Sequence, residues 1–168
     1  MCPLLVGLSG PACSGKSTLA RRLGSRPGWV VVEEVAQEVF REGFARYGTL
    51  DDLRRDPDGY LGFQLAYLWR HLEREDEALA TGMNVVTDRT VFDCLMYSRL
   101  YLPEGHLRIF EEAFRRAQVG GKARRVDIWI IQEEGEVLEM LREMLTRAKA
   151  VSYTHLRAHE TSLHLVCR

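Results

Sequence analysis

Gly10-Pro11-Ala12-Cys13-Ser14-Gly15-Lys16-Ser17 satisfies G-x-x-x-x-G-K-[ST] at each fixed position. It lies between an apolar run, Leu4-Leu5-Val6-Gly7-Leu8, and a segment of helix formers from Ser17 to Leu23 that stops at Gly24. Strand, loop and helix in that order are the setting in which this spacing makes a phosphate-binding P-loop. Consecutive backbone N–H groups in such a loop surround an anion, and glycines let the backbone approach it without Cβ clashes. The helix that follows aims its positive end at the same phosphates. The motif assigns Lys16 to the β- and γ-phosphates and the Ser17 hydroxyl to Mg²⁺. Gly10 through Thr18 are thus the expected nucleotide-binding segment.

Outward from the loop, the chain alternates strand with helix. Trp29-Val30-Val31-Val32 reads as a second buried strand ending in Glu33-Glu34. A helical pattern covers Val35 to Tyr47, weakened by Gly43, and Thr49-Leu50-Asp51-Asp52-Leu53 resembles a short capped helix. Asp56-Pro57-Asp58-Gly59 has turn chemistry. From Tyr60 to Ala80, Leu61, Leu65, Leu68, Leu72 and Leu79 mark a helical apolar stripe closed by Gly82. Asn84-Val85-Val86-Thr87 is a third strand delivering Asp88-Arg89, and helices follow over Val91 to Tyr101 and Glu104 to Gln118. Val126 to Ile131 is a fourth strand, and Glu134 to Lys149 a last helix. Such alternation implies parallel pairing through right-handed crossovers, hence a doubly wound α/β parallel sheet with helices on both faces.

Composition narrows the function classes. At 168 residues the chain suits one domain, and a net charge of -1 offers no broad basic field for nucleic acid or anionic lipid. No apolar run reaches membrane-span length and no basic signal-peptide start precedes Leu4, so a cytoplasmic protein is expected. Cys2, Cys13, Cys94 and Cys167 lack C-x-x-C spacing and read as reduced thiols, although Cys13 lies where a helix end lowers a thiol pKa.

Open sheets of this kind bind ligands outside the carboxyl ends of their strands, which sorts the polar residues. The Gly10 loop, Glu33-Glu34, Asp88-Arg89 and the segment from Gln132 fall on that edge; Lys122, Arg124 and Arg125 fall on the opposite one, as a solvated loop or a phosphate patch. Phosphoryl transfer needs charge neutralisation, an aligned acceptor and a group for the acceptor proton. Two roles fit Asp88, Mg²⁺ ligation as a Walker B acid or capping of the next helix. Arg89 fits phosphate contact or an ion pair with Asp93 at spacing four. Glu34, or Glu33 in its place, fits an acceptor base or a helix-end acid. Phe63, Gln64 and Tyr67 fit an acceptor pocket or the core, with the Gln64 amide able to pair with a base edge.

Together, Gly10 to Thr18, Glu34-Val35-Ala36-Gln37-Glu38, Phe63-Gln64 and Asp88-Arg89-Thr90 with Asp93 and Tyr97 resemble the P-loop kinase-like ATPases of the nicotinamide riboside kinase-like AAA type. The set is also similar to deoxyribonucleoside kinases, which carry a Glu after the second strand, Phe-Gln in a helix and a Glu/Asp-Arg-Ser motif. The resemblance spans about residues 4 to 131 and implies ATP and Mg²⁺ as cofactors. It further implies Glu34 as base, Gln64 near the acceptor, and Asp88 and Arg89 near the transferred phosphate. Two departures stand out. Gln37 occupies a position usually held by Arg, and the arginine-bearing lid after the fourth strand is represented only by Arg142 and Arg147, which point about 140° apart on a regular helix.

The tail is of another kind. Val151 to Arg168 resembles the codon-by-codon translation of a transposase-type sequencing adapter, with an index contributing Ser162 and Leu163. Its His155, His159, His164 and Cys167 are therefore excluded as a metal site, and the domain is taken as residues 1–150 of a natural chain expected to continue beyond Ala150. Setting the tail aside removes Arg157, Arg168 and Glu160 and leaves 21 Lys and Arg against 23 Asp and Glu, a net charge of -2. Two functions follow: a kinase moving the ATP γ-phosphate to a nucleoside, nucleotide or related hydroxyl compound, or an ATP-hydrolysing switch that contacts a protein partner. A GTP switch is disfavoured by the absence of an N-K-x-D segment.

Overall fold

The computed structural model describes residues 3–10, 14–119, 128–132, 153–158 and 161–167. The expected helix over Glu134 to Lys149, with Arg142 and Arg147, and the basic cluster Lys122, Arg124 and Arg125 lie outside them. The chain forms two units, one of Met1–Glu33, Glu77–Thr90 and Arg125–Arg168, the other of Glu34–Asp76 and Val91–Arg124.

In the first unit, five successive buried residues make β1, Leu5–Ser9, as a strand covered on both faces requires. Around it lie β2, Trp29–Val32, β3, Asn84–Asp88, and β4, Ile128–Gln132. β1 pairs in parallel with β3 on one side and β4 on the other, and β2 pairs in parallel with β3. The strand order β2-β3-β1-β4 puts β3 and β4 on opposite sides of β1, and ligands settle at the carboxyl edge of such a switch point. The expected doubly wound parallel sheet of a P-loop NTPase is thus observed. Helix α1, Lys16–Gly24, packs Ala20, Leu19 and Leu23 with Val6, Leu8 and Val86. Gly24 is required there, since a Cβ would stand 2.9 Å from the Val31 Cβ.

The sheet continues beyond β4 in a way that the sequence reading, which set residues 151–168 apart from the fold, did not anticipate. β5, Tyr153–Ala158, and β6, Thr161–Cys167, form an antiparallel hairpin, and β6 runs antiparallel to β4. An edge strand presents unpaired N–H and C=O groups, and a segment alternating Leu163, Leu165 and Cys167 with other residues can satisfy them whatever its origin.

In the second unit the single helix expected over Val35 to Tyr47 is wound three ways: α2, Ala36–Val39, a π-helical turn, Phe40–Phe44, and a 3₁₀ turn, Ala45–Tyr47. Tertiary contacts set this winding. Phe40 and Phe44 both meet the Phe63 ring edge-on, and Arg70 ties Glu38 to Glu42. Helix α3, Leu50–Arg54, is capped as expected, Thr49 Oγ1 accepting from the Asp52 N–H at 3.1 Å. The turn expected at Asp56 to Gly59 is instead the start of α4, Pro57–Ala80, because proline's fixed φ and missing N–H suit the first helical position. α5, Val91–Tyr101, and α6, Glu104–Val119, complete the unit, joined by Phe92 against Phe114 and by an Arg99–Glu111 ion pair at 2.7 Å.

Candidate functional site

The P-loop residues that can be placed all belong to the first unit. Gly15 caps α1 in the left-handed region, φ 87, where a side chain would be strained, and no side chain caps the helix. The first-turn amides, those of Lys16, Ser17 and Thr18 among them, are the donors that a helix start leaves for an anion. Lys16 is buried, 6 % exposed, and its Nζ donates to Ser14 Oγ at 3.1 Å. A buried ammonium beside the start of a helix is a positive charge that a phosphate can meet. Pro11, Ala12 and Cys13 lie outside the described residues, so the expectation for the Cys13 thiol is not addressed.

Asp88 ends β3, opposite Leu8 of β1, and is 3 % exposed. The Ser17 hydroxyl donates to its Oδ2 at 2.5 Å, whereas Oδ1 is buried and has no hydrogen-bond partner among the described residues. A buried carboxylate oxygen left bare costs its full desolvation, so the arrangement calls for a cation. The carboxylate and the hydroxyl are hard oxygen donors of the kind Mg²⁺ takes, and among the described residues no group of three or more His, Cys, Asp or Glu competes as a metal site. Ser17 and Asp88 therefore fit the metal. The capping alternative fits less well, since α5 starts at Val91 and Thr90 directly precedes it.

Arg89 follows in the left-handed region, φ 73, a backbone state costing on the order of 1–3 kcal/mol for a residue with a Cβ. Its N–H donates to the Leu8 carbonyl at 2.9 Å and its Nη1 to the Gly10 carbonyl at 3.4 Å, an arrangement that the phosphate-contact reading did not foresee. Of the two acids after β2, Glu33 pairs with Arg21 at 3.2 Å on the surface, which disfavours it as a substitute for Glu34. Glu34 is exposed and opens the second unit.

Phe63, Gln64 and Tyr67 are buried on α4 in the second unit, the rings of Phe63 and Tyr67 stacked with centroids 6.3 Å apart. Gln64 is bonded at both ends of its amide. Nε2 donates to the Tyr60 hydroxyl at 2.5 Å, and the Cys94 thiol donates to Oε1 at 3.0 Å. Burial, with the nearby Asp93 charge, pushes the Cys94 thiol well above its usual range and keeps it a donor. Tyr60, Cys94 and the buried pair His71–Glu75, 3.0 Å apart, were not singled out from the sequence. The signal was present as polar residues at spacing four, Tyr60 with Gln64 and His71 with Glu75, inside an otherwise apolar helix face. No helix among the described residues is long and apolar enough to cross a membrane.

Residues 5–151 match the AAA domain family. The fold is similar to that of NadR protein in complex with NR, with a TM-score of 0.72 and 20 % identity over 88 % of this chain and 42 % of that one. It is also similar to NadR protein in complex with NAD and AMP-PNP, with a TM-score of 0.61 and 22 % identity over the same shares. The chain thus spans less than half the length of either. No curated protein matches it in sequence.

Proposed function

The chain belongs to the AAA domain family of P-loop proteins, and from that premise we propose that it binds Mg-ATP at Gly10 to Thr18 and transfers the γ-phosphate to a small hydroxyl compound of the nucleoside or nucleotide class. The observation that carries the reading is the Asp88 carboxylate, with Oδ2 on the Ser17 hydroxyl and Oδ1 bare, beside a glycine-capped helix start. The likeness to NadR structures, one holding NR and the other NAD and AMP-PNP, favours a nucleoside-like acceptor.

In this reading the amides of the loop and of the first turn of α1 hold the phosphates, and the Lys16 ammonium leaves Ser14 Oγ to neutralise charge that builds up on the β- and γ-phosphates. Ser17 and Asp88 hold Mg²⁺, which when bound neutralises phosphate charge and orients the oxygens. Glu34 accepts the acceptor hydroxyl's proton, and Phe63, Gln64 and Tyr67 line the acceptor's side, Gln64 using the amide lone pair and N–H that its bonds to Tyr60 and Cys94 leave over. Residues 1–150 are taken as the domain that does this, residues 151–168 as a foreign tail, and the cytoplasm as its compartment.

ADP release from ATP, measured across a panel of nucleosides that includes nicotinamide riboside and of nucleoside monophosphates, tests the proposal. Many-fold acceleration by one member is expected; a flat response points instead to the switch with a protein partner. Lys16→Ala should abolish turnover. Glu34→Gln should slow transfer by about 10²–10⁴-fold while leaving ATP affinity intact, the span that general base catalysis covers.

A further inference from the structure

The geometry points to Arg89 as a positioning residue that fixes the entrance of the phosphate loop by holding its backbone, an inference that rests on the nucleotide-binding reading of that loop. Nη1 of the buried guanidinium donates to the carbonyl of Gly10, the first residue of the motif. The platform beneath that bond is rigid. The Arg89 backbone is locked in the left-handed region by its N–H on the Leu8 carbonyl and by Thr87 Oγ1, which donates to the Arg89 carbonyl at 2.8 Å. One residue earlier, Asp88 accepts the Ser17 hydroxyl. The end of β3 therefore grips both ends of the loop, Gly10 through Arg89 and Ser17 through Asp88.

Gly10, at φ 144, has no Cβ, and the peptide that its carbonyl forms with Pro11 carries no N–H, so the oxygen is the one hydrogen-bonding group of that peptide for a donor to hold. A flip of this peptide would bring the oxygen toward the bound phosphates and repel them, with no N–H to offer in exchange. The Arg89 guanidinium opposes that flip by holding the oxygen.

Mg-ADP is the probe, because it fills the loop without a transferable phosphate or an acceptor. Calorimetric titration of the full chain should show Arg89→Gln weakening ADP about tenfold, the size of one lost bond from a charged donor. Arg89→Lys should recover part of that loss, and AMP-PNP should weaken to the same extent as ADP. ADP affinity within about twofold of wild type, or a loss confined to AMP-PNP, overturns the inference and places Arg89 on the γ-phosphate. Should Arg89→Gln fail to fold, Arg89→Lys and Thr87→Val decide, the latter keeping the guanidinium but freeing its platform. Weaker ADP binding in both supports the inference, and wild-type affinity in both overturns it. Lys16→Ala separates the two levels. Wild type binding ADP no better than Lys16→Ala overturns the nucleotide reading and this inference with it, whereas a clear Lys16 effect with silent Arg89 variants overturns the inference alone.

Discussion

Asp88 shows how little separates a structural carboxylate from a functional one. Its two oxygens sit in one buried side chain, yet among the described residues only Oδ2 has a partner, which leaves Oδ1 for a cation to meet. Asp88→Asn keeps an oxygen for the Ser17 hydroxyl and deletes the charge. Its turnover should fall by roughly 10²–10³-fold, the cost of removing one electrostatic group at a reacting phosphate, while ADP affinity measured in EDTA stays as in wild type. Equal losses with and without Mg²⁺ would show a structural role instead. Ser98 provides a contrast on α5: its Oγ is fully buried and has no hydrogen-bond partner among the described residues. Ser98→Ala removes an unsatisfied polar atom and should stabilise the protein by about 1 kcal/mol. Thermal unfolding would register this as a rise of about 2–4 °C, and a fall would show that the hydroxyl has a partner in solution. At this scale the sequence discloses residue types and leaves pairings open. Lys16, Ser17 and Asp88 were legible because a fixed spacing and a strand end carry chemical meaning, whereas the Arg89 bond to Gly10 and the Gln64 bond to Cys94 join residues 79 and 30 positions apart, which no local pattern encodes.

Helix α4 is the element whose character the apolar stripe described least completely. Leu61, Leu68 and Leu72 are buried as read, but Leu65 and Leu79 are only partly so, and the buried face also takes in Tyr60, Gln64, His71 and Glu75. A polar side chain on such a face must find a partner, and Gln64 finds one in Tyr60 on α4 itself and another in Cys94 on α5. Tyr60 makes the consequence measurable. Burial pushes its phenol up to about 12, against the pull of its bonds to Gln64 and Arg54. Below pH 10 folded and unfolded chains both keep that proton, so the group adds no pH dependence. Between about 10 and 12 the unfolded chain loses the proton and the folded chain holds it, so stability falls by about 2–3 kcal/mol across that window. Tyr60→Phe should flatten this part of the alkaline stability curve, whatever it does to stability at neutral pH; an unchanged slope would show that the phenol titrates normally. Other elements failed to be legible for their own physical reasons. The π-helical turn at Phe40–Phe44 is imposed by Phe63 and Arg70, from 19 or more residues away in the chain, and Pro57 belongs to turns and helix starts alike until its neighbours choose. The four parallel strands, by contrast, were marked by their own apolar or β-branched runs.

For the molecule as a whole, the division of the chain bears on how it melts. Neither unit is a continuous segment: the chain leaves the first after Glu33, returns at Glu77, leaves again after Thr90 and returns at Arg125. The crossing at Asp76 to Glu77 falls inside α4, so a single helix carries residues of both units, and unfolding either one would fray it from within. Helices lose stability steeply when their tertiary contacts go, because little of that stability is local. One cooperative transition is therefore expected, in spite of the two units. The ligand adds a second requirement. Mg-ATP bound to the P-loop at about 100 times its dissociation constant stabilises the folded state by about 2.7 kcal/mol, which for a chain of this size raises the melting temperature by roughly 5–11 °C. If melting is cooperative, circular dichroism of the helices, most of those described lying in the second unit, and fluorescence of Trp29 in β2, read in a variant carrying Trp69→Phe and Trp129→Phe, must shift together by that amount. Two transitions with only the Trp29 signal moving would mean that the units melt independently and that nucleotide energy stays where it binds. A coincident shift would mean that occupancy of the loop at Gly10 to Thr18 is felt through the shared helix by residues that never touch the nucleotide, which is the coupling that either a kinase or a switch built on this chain requires.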